Sequence, residues 1–285
     1  MTTIEDIILR YDKRGMTPLR PHLPEDYCTR AARCILDAPP GRALIATGFY
    51  ITRAGATETD GPPGAYFIGK ALEVLGRPVT YVTDRLTTPV FEGLVPPDAV
   101  VDFPFADAEA SEAFAVDLLA RLQPTVAIAI ERCGFTGPGR YLNMRGQDTS
   151  EYHAKLDYIF MHHGATVGIG DGGNEIGMGN LAEHIPSVEQ LPNEPCVTTV
   201  SELIIASVSN WGGYGLVAAL SLQAGRNLLP SPDEEEDVIR AMVDRGAVDG
   251  VASASVYGVD GFTLQENRRT LEALHLLLAE HGVGE

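Results

Sequence analysis

Six short runs of aliphatic and β-branched residues recur along the chain, and most of them are followed by a turn and a helical stretch. The runs lie at 43–48 (ALIATG), 78–83 (PVTYVT), 99–104 (AVVDFP), 125–130 (TVAIAI), 165–170 (ATVGIG) and 196–201 (CVTTVS). Continuous apolar strands that alternate with helices are typical of a parallel sheet that is buried on both faces. The sequence therefore predicts an α/β fold, a mostly parallel sheet with helices on both faces.

The helices of this fold are predicted from apolar residues at helical spacing. We expect a short leading helix within 2–11 and further helices at 64–75, 109–122, 151–162, 174–184, 210–224, 233–245 and 263–281. The chain has no low-complexity linker and no internal repeat, so we predict a single domain over residues 1–285. The stretch from about residue 228 has no predicted role beyond packing.

The composition restricts the partners. Thirty-nine acidic against 21 basic residues give a formal charge of −18, which disfavours nucleic acid and anionic membrane surfaces. The four cysteines form no CxxC pair, and no apolar run approaches the ~20 residues that span a bilayer. We expect a cytoplasmic protein with a small-molecule partner, and the sequence leaves open whether it forms a homo-oligomer.

Polar residues follow the first predicted strand, where parallel sheets gather their ligand-binding loops. The segment 47–65 (TGFYITRAGATETDGPPGA) contains Arg53, Glu58, Asp60 and Gly61 before a helix that begins near a proline pair. The N–H groups of such a helix favour an anion. The alternative is that Thr59 or Asp60 simply caps the helix.

The fourth strand ends in a glutamate and an arginine. The segment 129–146 (AIERCGFTGPGRYLNMRG) brings Glu131, Arg132, Asn143 and Arg145 to the same edge of the sheet. Charges at this position must be solvated or paired, so they indicate either a binding site or a surface ion pair.

A glycine-rich segment follows the fifth strand. Residues 168–180 (GIGDGGNEIGMGN) contain GxGxxG, which by itself is weak evidence for a dinucleotide site, with Glu202 as the acid that would contact the ribose. However, Asp171 and Glu175 would repel a pyrophosphate there. The glycines therefore favour close approach of the backbone to a small ligand, with Gly172, Gly173 and Asn174 beside it.

A fourth polar cluster opens the helix predicted at 210–224. The segment 207–216 (SVSNWGGYGL) offers Ser209, Asn210, Trp211 and Gly212. Either Trp211 forms a wall of a pocket, or it fills the core behind a tightly packed helix end.

Together these segments resemble a known family. The strings ETDGPPGA (58–65), AIER with NMR (129–132 and 143–145), GIGDGGNEIGMGN (168–180) and SNWGGYGL (209–216) are similar in order and spacing to the D-glutamate cyclase family, over residues 40–225. The resemblance implies a lyase that cyclises D-glutamate to 5-oxo-D-proline with loss of water. The stretch 133–139 (CGFTGPG) departs from the family pattern, which would alter the substrate if that loop contacts it.

The expected roles follow from this reaction. We assign Asp171, Glu175 and Glu131 to proton transfer, and Arg53, Arg132 and Arg145 to binding of carboxylates. Asn174, Asn210 and the glycine N–H groups would stabilise the oxyanion of the tetrahedral intermediate. No cofactor is certain from the sequence, but Asp60, Glu131, Asp171 and Glu175 could instead hold Mg²⁺ or Mn²⁺.

Three alternative functions stay open at this point. One is a related lactam-forming or dehydrating enzyme that acts on another amino acid in a biosynthetic pathway. The second is an NAD(P)-binding oxidoreductase, and the third is an amino-acid sensor without catalysis.

Overall fold

The computed structural model describes residues 2–284. Its strands are β1 (Ala43–Thr47), β2 (Tyr50–Ile51), β3 (Ala56–Thr57), β4 (Val79–Thr83), β5 (Val100–Asp102), β6 (Val126–Ile130), β7 (Thr166–Gly170), β8 (Glu202–Ile205), β9 (Gly258–Val259) and β10 (Phe262–Thr263). Its helices are α1 (Ile4–Ile8), α2 (Tyr27–Asp37), α3 (Pro62–Val74), α4 (Ala108–Leu122), α5 (Asp157–Met161), α6 (Ser209–Ala224), α7 (Pro232–Asp244) and α8 (Leu264–Glu280).

Six strands form one parallel sheet in the order β5-β4-β1-β6-β7-β8. Ala43 of β1 lies opposite both Val79 of β4 and Val126 of β6. The chain adds strands to one side of β1 first and then to the other, so the sheet order reverses between β1 and β6. In open α/β sheets a crevice forms at this point, beyond the carboxyl ends of the strands. The predicted α/β fold is confirmed.

Every residue of β1, β4, β6 and β7 is buried, which requires cover on both faces of the sheet. Helix α6 is buried along most of its length and packs against α2, α3 and α8. Glycines allow this close packing, since a Cβ on Gly64 would lie 3.1 Å from the Cα of Asn210. Among residues 2–284 no helix combines the length and the apolar character needed to cross a bilayer.

Two of the predicted elements are wrong. Residues 196–201 form no strand, because the carbonyl of Thr198 accepts hydrogen bonds from the N–H groups of Gly177 and Gly179 instead of pairing within the sheet. The sixth strand is β8, which begins at Glu202. The helix predicted at 174–184 is replaced by a turn and a short 3₁₀ helix, Met178–Leu181, because Gly177 adopts a φ of 106°.

The other predicted helices are present with shifted ends. The largest difference is the helix predicted at 151–162, of which only Asp157–Met161 is α-helical. Helix α2 was not predicted. It presents Tyr27, Ala31 and Ile35 to the core at the spacing of an amphipathic helix.

Candidate active site

A cavity of about 570 Å³ is lined by residues that follow β1, β6 and β7. It therefore lies at the carboxyl edge of the sheet, where the strand order reverses. Six of the predicted site residues line it: Arg53, Glu58, Glu131, Asn143, Arg145 and Asn174. The sequence correctly predicted that distant loops meet at one site.

Six carboxyl side chains lie together at the inner end of this cavity. They are Glu58, Asp60, Glu131, Asp171, Glu175 and Asp260, none more than 4% exposed. Asp60, Asp171 and Asp260 each offer an oxygen within 4.8 Å of the others, as do Glu131, Asp171 and Glu175. We call these six residues the acid cluster. Glu58 and Glu131 line the cavity, and the other four lie behind them.

One arginine is inserted into the acid cluster. The guanidinium of Arg14 forms ion pairs with Asp171 through Nη1 and with Asp260 through Nη2. Arg14 also lines the cavity, and its side chain is 20% exposed. It joins the N-terminal segment, the loop after β7 and the turn of the β9–β10 hairpin.

Burial raises the pKa values of the cluster. The pKa values of Glu58 and Glu131 lie well above their usual range, because both are desolvated and surrounded by other carboxylates. Burial also raises the pKa of Asp171 strongly, although the charge of Arg14 opposes that rise. Burial raises the pKa of Asp60 to about 7, against the effect of the backbone N–H groups that it accepts. Burial therefore favours the protonated forms of these carboxyl groups.

Three buried oxygens of the cluster have no hydrogen-bond partner within residues 2–284: Asp171 Oδ2, Glu175 Oε2 and Asp260 Oδ1. Buried polar atoms are nearly always paired. The second oxygen of Glu175, Oε1, accepts the N–H of Asp171 at 3.2 Å. These free oxygens indicate that the cluster is built to bind or protonate a ligand.

The backbone is strained at two members of the cluster. Glu131 has a φ of 43° and Asp260 a φ of 54°, in the left-handed region that side chains other than glycine seldom adopt. Such strain persists only where the surrounding structure holds it, and it concentrates at functional sites. At Glu131 the hydroxyl of Ser209 also donates to Oε2 at 2.6 Å.

The glycine-rich segment does not have the structure that a dinucleotide site requires. No α-helix follows β7 at this point within the described chain, so the N-terminus that would bind a pyrophosphate is missing. Glu202 lies at the first residue of β8, at the opposite edge of the sheet from the cavity. Its carboxylate pairs with Arg30 at 3.0 Å.

Arg132 was predicted to bind a substrate carboxylate, but it faces away from the cavity. It is 1% exposed and pairs with Asp84 at 2.7 Å, and it donates to the carbonyls of Gly48 and Ala154. The charge of Arg132 is therefore paired within the protein, in a buried ion pair and not in the surface ion pair that was the alternative for this segment.

Of the two interpretations of Trp211, the wall of a pocket is wrong and the filling of the core is correct. Trp211 is fully buried, donates from Nε1 to Asn267 at 2.7 Å and packs against Phe262. A Cβ on Gly212 would lie 2.7 Å from Ile169, so this glycine permits close packing of α6 on β7. Both residues belong to the core.

Asn210 and Gly61 take part in capping helices. The side-chain oxygen of Asn210 accepts the N–H groups of Gly61 and Gly64, and its Nδ2 donates to the carbonyl of Thr59. The oxygen and one N–H of the amide are therefore used within the protein, and Asn210 does not line the cavity, so its predicted role towards an oxyanion stays a prediction. Gly172 and Gly173 are buried beside the acid cluster, where a Cβ on Gly172 would lie 2.8 Å from Glu175.

Several site residues were not predicted. Arg14 lies ahead of the motif-bearing region, and Asp260 lies in the part of the chain that had no predicted role. Gly250, Val251 and Ser253 also line the cavity, and Ser253 accepts a hydrogen bond from Arg53 at 2.6 Å. The Asp-Gly pair at 260–261 was an available signal for a turn, although not for a site.

Residues 133–139 are the stretch that differs from the family pattern. All of them are described, and none lines the cavity. Cys133 nevertheless pairs with Glu175 in an isolated β-bridge, and Gly134 donates its N–H to the carbonyl of Asn174 at 2.8 Å, so the stretch supports two residues of the site. Residues 143–147 of the same loop do reach the cavity.

The parallel sheet and the buried carboxyl site are accompanied by similarity to known proteins. The family model described as D-glutamate cyclase-like, C-terminal matches residues 4–275, and the chain belongs to this family. At the level of the family this supports a cyclase or lyase activity. The match extends beyond residues 40–225, on which the resemblance rested, and it includes Arg14 and Asp260.

A relative among curated proteins is D-glutamate cyclase, mitochondrial, of Homo sapiens. It is 30% identical over 166 residues, and the alignment covers 47% of this chain and 26% of the human protein. The matched region thus spans about a quarter of the length of that relative. The cytoplasmic location stays a prediction.

Proposed function

We propose that this protein closes the amine of D-glutamate onto its own side-chain carboxyl group, giving 5-oxo-D-proline and water. The observation that carries the proposal is the acid cluster, six buried carboxyl groups of which Glu58 and Glu131 line a cavity and have pKa values raised by burial. Family membership supports the same reaction class.

The reaction moves two protons from the substrate nitrogen to the oxygen that leaves. The substrate ammonium must lose one proton before the nitrogen can attack the side-chain carbon, and a carboxylate can accept it. A C–N bond then forms, the nitrogen loses its second proton, and the C–O bond breaks as the departing oxygen, which has received two protons, leaves as water. A group of acids whose shared environment separates their protonation states can supply both functions.

Glu58 and Glu131 are the two carboxyl groups of the cluster that line the cavity, so they are the members in reach of a substrate. Glu131 is held by the hydroxyl of Ser209. Asp171 and Glu175 lie behind Glu131, where their own protons and charges adjust its protonation. In this proposal Glu131 exchanges protons with the substrate and the two inner acids support it.

A divalent cation is the alternative to direct proton transfer by these acids. Glu131, Asp171 and Glu175 would hold Mg²⁺ or Mn²⁺, because their donors are carboxylate oxygens, which hard cations prefer. The unpaired oxygens of Asp171 and Glu175 fit this role. When bound, such an ion would polarise the substrate carboxyl group.

Product analysis tests the proposal. The protein is incubated with D-glutamate, L-glutamate, other amino diacids and diamino acids, with and without Mg²⁺ or Mn²⁺. Chiral chromatography and mass spectrometry then detect a product that has lost one water. Formation of 5-oxo-D-proline, abolished by Glu131→Gln and unaffected by Glu112→Gln on exposed α4, is the expected result.

Two other outcomes would contradict this proposal. Cyclisation of a different amino acid, with D-glutamate untouched, would assign the site to the related lactam-forming reaction. Tight binding of an amino acid without any turnover would indicate a sensor.

A further inference from the structure

We infer that Arg14 binds the side-chain carboxylate of the substrate, the group that becomes the lactam carbonyl. This inference rests on the proposed function and specifies its substrate class as an amino acid with a terminal carboxylate. Arg14 was not among the residues predicted from the sequence.

The segment that carries Arg14 is held in a defined turn. Asp12 Oδ1 accepts the N–H groups of Arg14 at 3.1 Å and Gly15 at 2.8 Å, while its Oδ2 accepts the N–H of Thr17 at 2.7 Å. Gly15 has a φ of 88°, and a Cβ there would lie 2.9 Å from Val188. The turn is thereby fixed both internally and against the loop around Val188, which directs the long Arg14 side chain into the acid cluster.

Arg14 has hydrogen-bonding capacity left after its two ion pairs. Each of its terminal nitrogens binds one carboxylate, Asp171 or Asp260, whereas a guanidinium carries several N–H donors in a planar fork. The side chain also lines the cavity and keeps 20% of its surface exposed. Donors of this kind match the geometry of a carboxylate.

Arg14 is the positively charged side chain that lies beside the acid cluster, where it can bind an anionic group of the substrate. The other arginines that line the cavity, Arg53 and Arg145, are exposed residues. Among the residues described, Arg14 alone forms ion pairs with members of the acid cluster. Without a cation, a substrate carboxylate at the inner end would be buried beside the acid cluster with no positive group to balance its charge.

This placement fits the chemistry of ring closure. A guanidinium remains charged at all accessible pH values, so it withdraws charge from the carboxyl group but does not supply the proton. The departing oxygen of a carboxylate needs two protons to leave as water, and carboxyl groups of the cluster relay them from the substrate nitrogen, which loses two protons on becoming the lactam N–H. As the nitrogen attacks, the guanidinium would stabilise the negative charge that grows on the tetrahedral carbon's oxygens.

A merely structural role for Arg14 makes a different prediction. If it only neutralises Asp171 and Asp260, its loss should weaken all ligands of the cavity to a similar extent. If it binds the side-chain carboxylate, its loss should weaken D-glutamate selectively and spare D-glutamine, whose side chain ends in a neutral amide.

The experiment measures the dissociation constants of D-glutamate and D-glutamine by calorimetry in the slow Glu131→Gln background, with and without Arg14→Gln. We expect D-glutamate to bind at least about tenfold more weakly, the usual effect of losing a hydrogen bond to a charged group. D-glutamine should change by less than about threefold, on the scale of a weak surface contact. Arg20→Gln, whose arginine pairs with Asp6 at 2.7 Å outside the cavity, is the matched control.

Arg14→Lys keeps the inference testable if Arg14→Gln fails to fold. The lysine retains one positive charge for Asp171 and Asp260 but lacks the planar fork, so the preference for D-glutamate over D-glutamine should still fall. An equal loss for both ligands, or no loss for either, would overturn the inference.

The outcomes also separate this inference from the proposed function. If the unmodified protein forms 5-oxo-D-proline while its preference for D-glutamate does not depend on Arg14, the inference fails alone. If the protein forms no lactam but still discriminates the two ligands through Arg14, the proposed function fails alone.

Discussion

Asp60, just before α3, caps the N-terminus of α6, and Asn210, in the first turn of α6, caps the N-terminus of α3. Asp60 accepts the N–H of Ser209 at 2.9 Å and that of Asn210 at 2.7 Å, the first two residues of α6. Asn210 in turn accepts the N–H groups of Gly61 at 3.0 Å and Gly64 at 2.8 Å, at the start of α3. The reciprocal caps fasten the loop after β1 to the loop after β8, and they place the Ser209 hydroxyl on Glu131.

We predict that Asn210→Ala lowers the free energy of unfolding by about 2–4 kcal/mol, because it removes a cap and leaves the buried N–H of Gly64 unpaired. Urea denaturation measures this value. The control is Asp107→Ala, which removes the exposed cap of α4. Asp107 accepts the N–H of Ala110 at 2.9 Å, and loss of this cap should cost about 1 kcal/mol. Equal costs for the two variants would contradict the reciprocal arrangement.

The sequence predicted the sheet and the meeting of its loops because both follow from local pattern. Apolar runs mark buried strands, and polar segments at their carboxyl ends must share one edge of a parallel sheet. That reasoning brought Glu58, Asp60, Glu131, Asp171 and Glu175 together correctly.

The errors arise where the outcome depends on a distant partner. A charge at a strand end appears the same in sequence whether it faces a ligand or pairs internally, and Arg132 pairs with Asp84. Arg14 and Asp260 are separated by 246 positions and share no motif, so their ion pair follows only from the tertiary fold.

Substitution of the cluster carboxyls should affect catalysis far more than folding. We expect Glu131→Gln, Asp171→Asn and Glu175→Gln each to lower turnover of D-glutamate by about 10² or more, the usual loss when an acid or base is removed. Initial rates with circular dichroism as a folding check measure this. The control is Glu112→Gln. The half-exposed carboxylate of Glu112 lies outside the cavity and forms a hydrogen bond of 2.7 Å with Nε2 of His162. Unchanged turnover in any cluster variant would remove that residue from the mechanism.

The exposed arginines that line the cavity should act on substrate capture. Arg53 is held by Ser253 and by the carbonyl of Val251, whereas the Arg145 side chain forms no hydrogen bond within the described part of the chain. We expect Arg145→Ala to raise KM by about threefold to fivefold at low salt, with kcat nearly unchanged, since exposed ion pairs contribute up to ~1 kcal/mol. The increase should shrink as salt screens the charge. Arg140→Ala, in the same loop but paired with Glu194 at 3.1 Å, should leave KM unaltered.

Removal of divalent cations tests the proposed metal site. After dialysis against EDTA, we expect activity to fall and to return with Mg²⁺ or Mn²⁺. A ligand that binds only the folded state also raises its stability, so Mn²⁺ should raise the Tm of the wild-type protein. Glu175→Gln should reduce this increase, because it removes one ligand of the site. Full activity in EDTA, with no effect of Mn²⁺ on Tm, would leave the carboxyl groups to act without a metal.

Glu235 links stability to pH outside the active site. It is fully buried on α7, its Oε1 accepts the hydroxyl of Tyr214 at 3.2 Å, and its Oε2 is unpaired within residues 2–284. Burial raises its pKa from 4.5 to about 8, so the folded protein holds this proton more tightly than the unfolded chain does.

The stabilising contribution of this proton is complete below about pH 4.5 and is lost as the pH rises to about 8. Within that window we expect Glu235 to lower the free energy of unfolding by up to about 1.4 kcal/mol per pH unit. Glu235→Gln keeps the shape of the side chain without an ionisable group. Relative to the wild type, the free energy of unfolding of this variant should therefore increase as the pH rises from about 5 to about 8. Urea denaturation across this range, with Glu272→Gln on the exposed side of α8 as control, measures the difference. A constant difference between Glu235→Gln and the wild type at every pH would show that folding does not shift the pKa of Glu235.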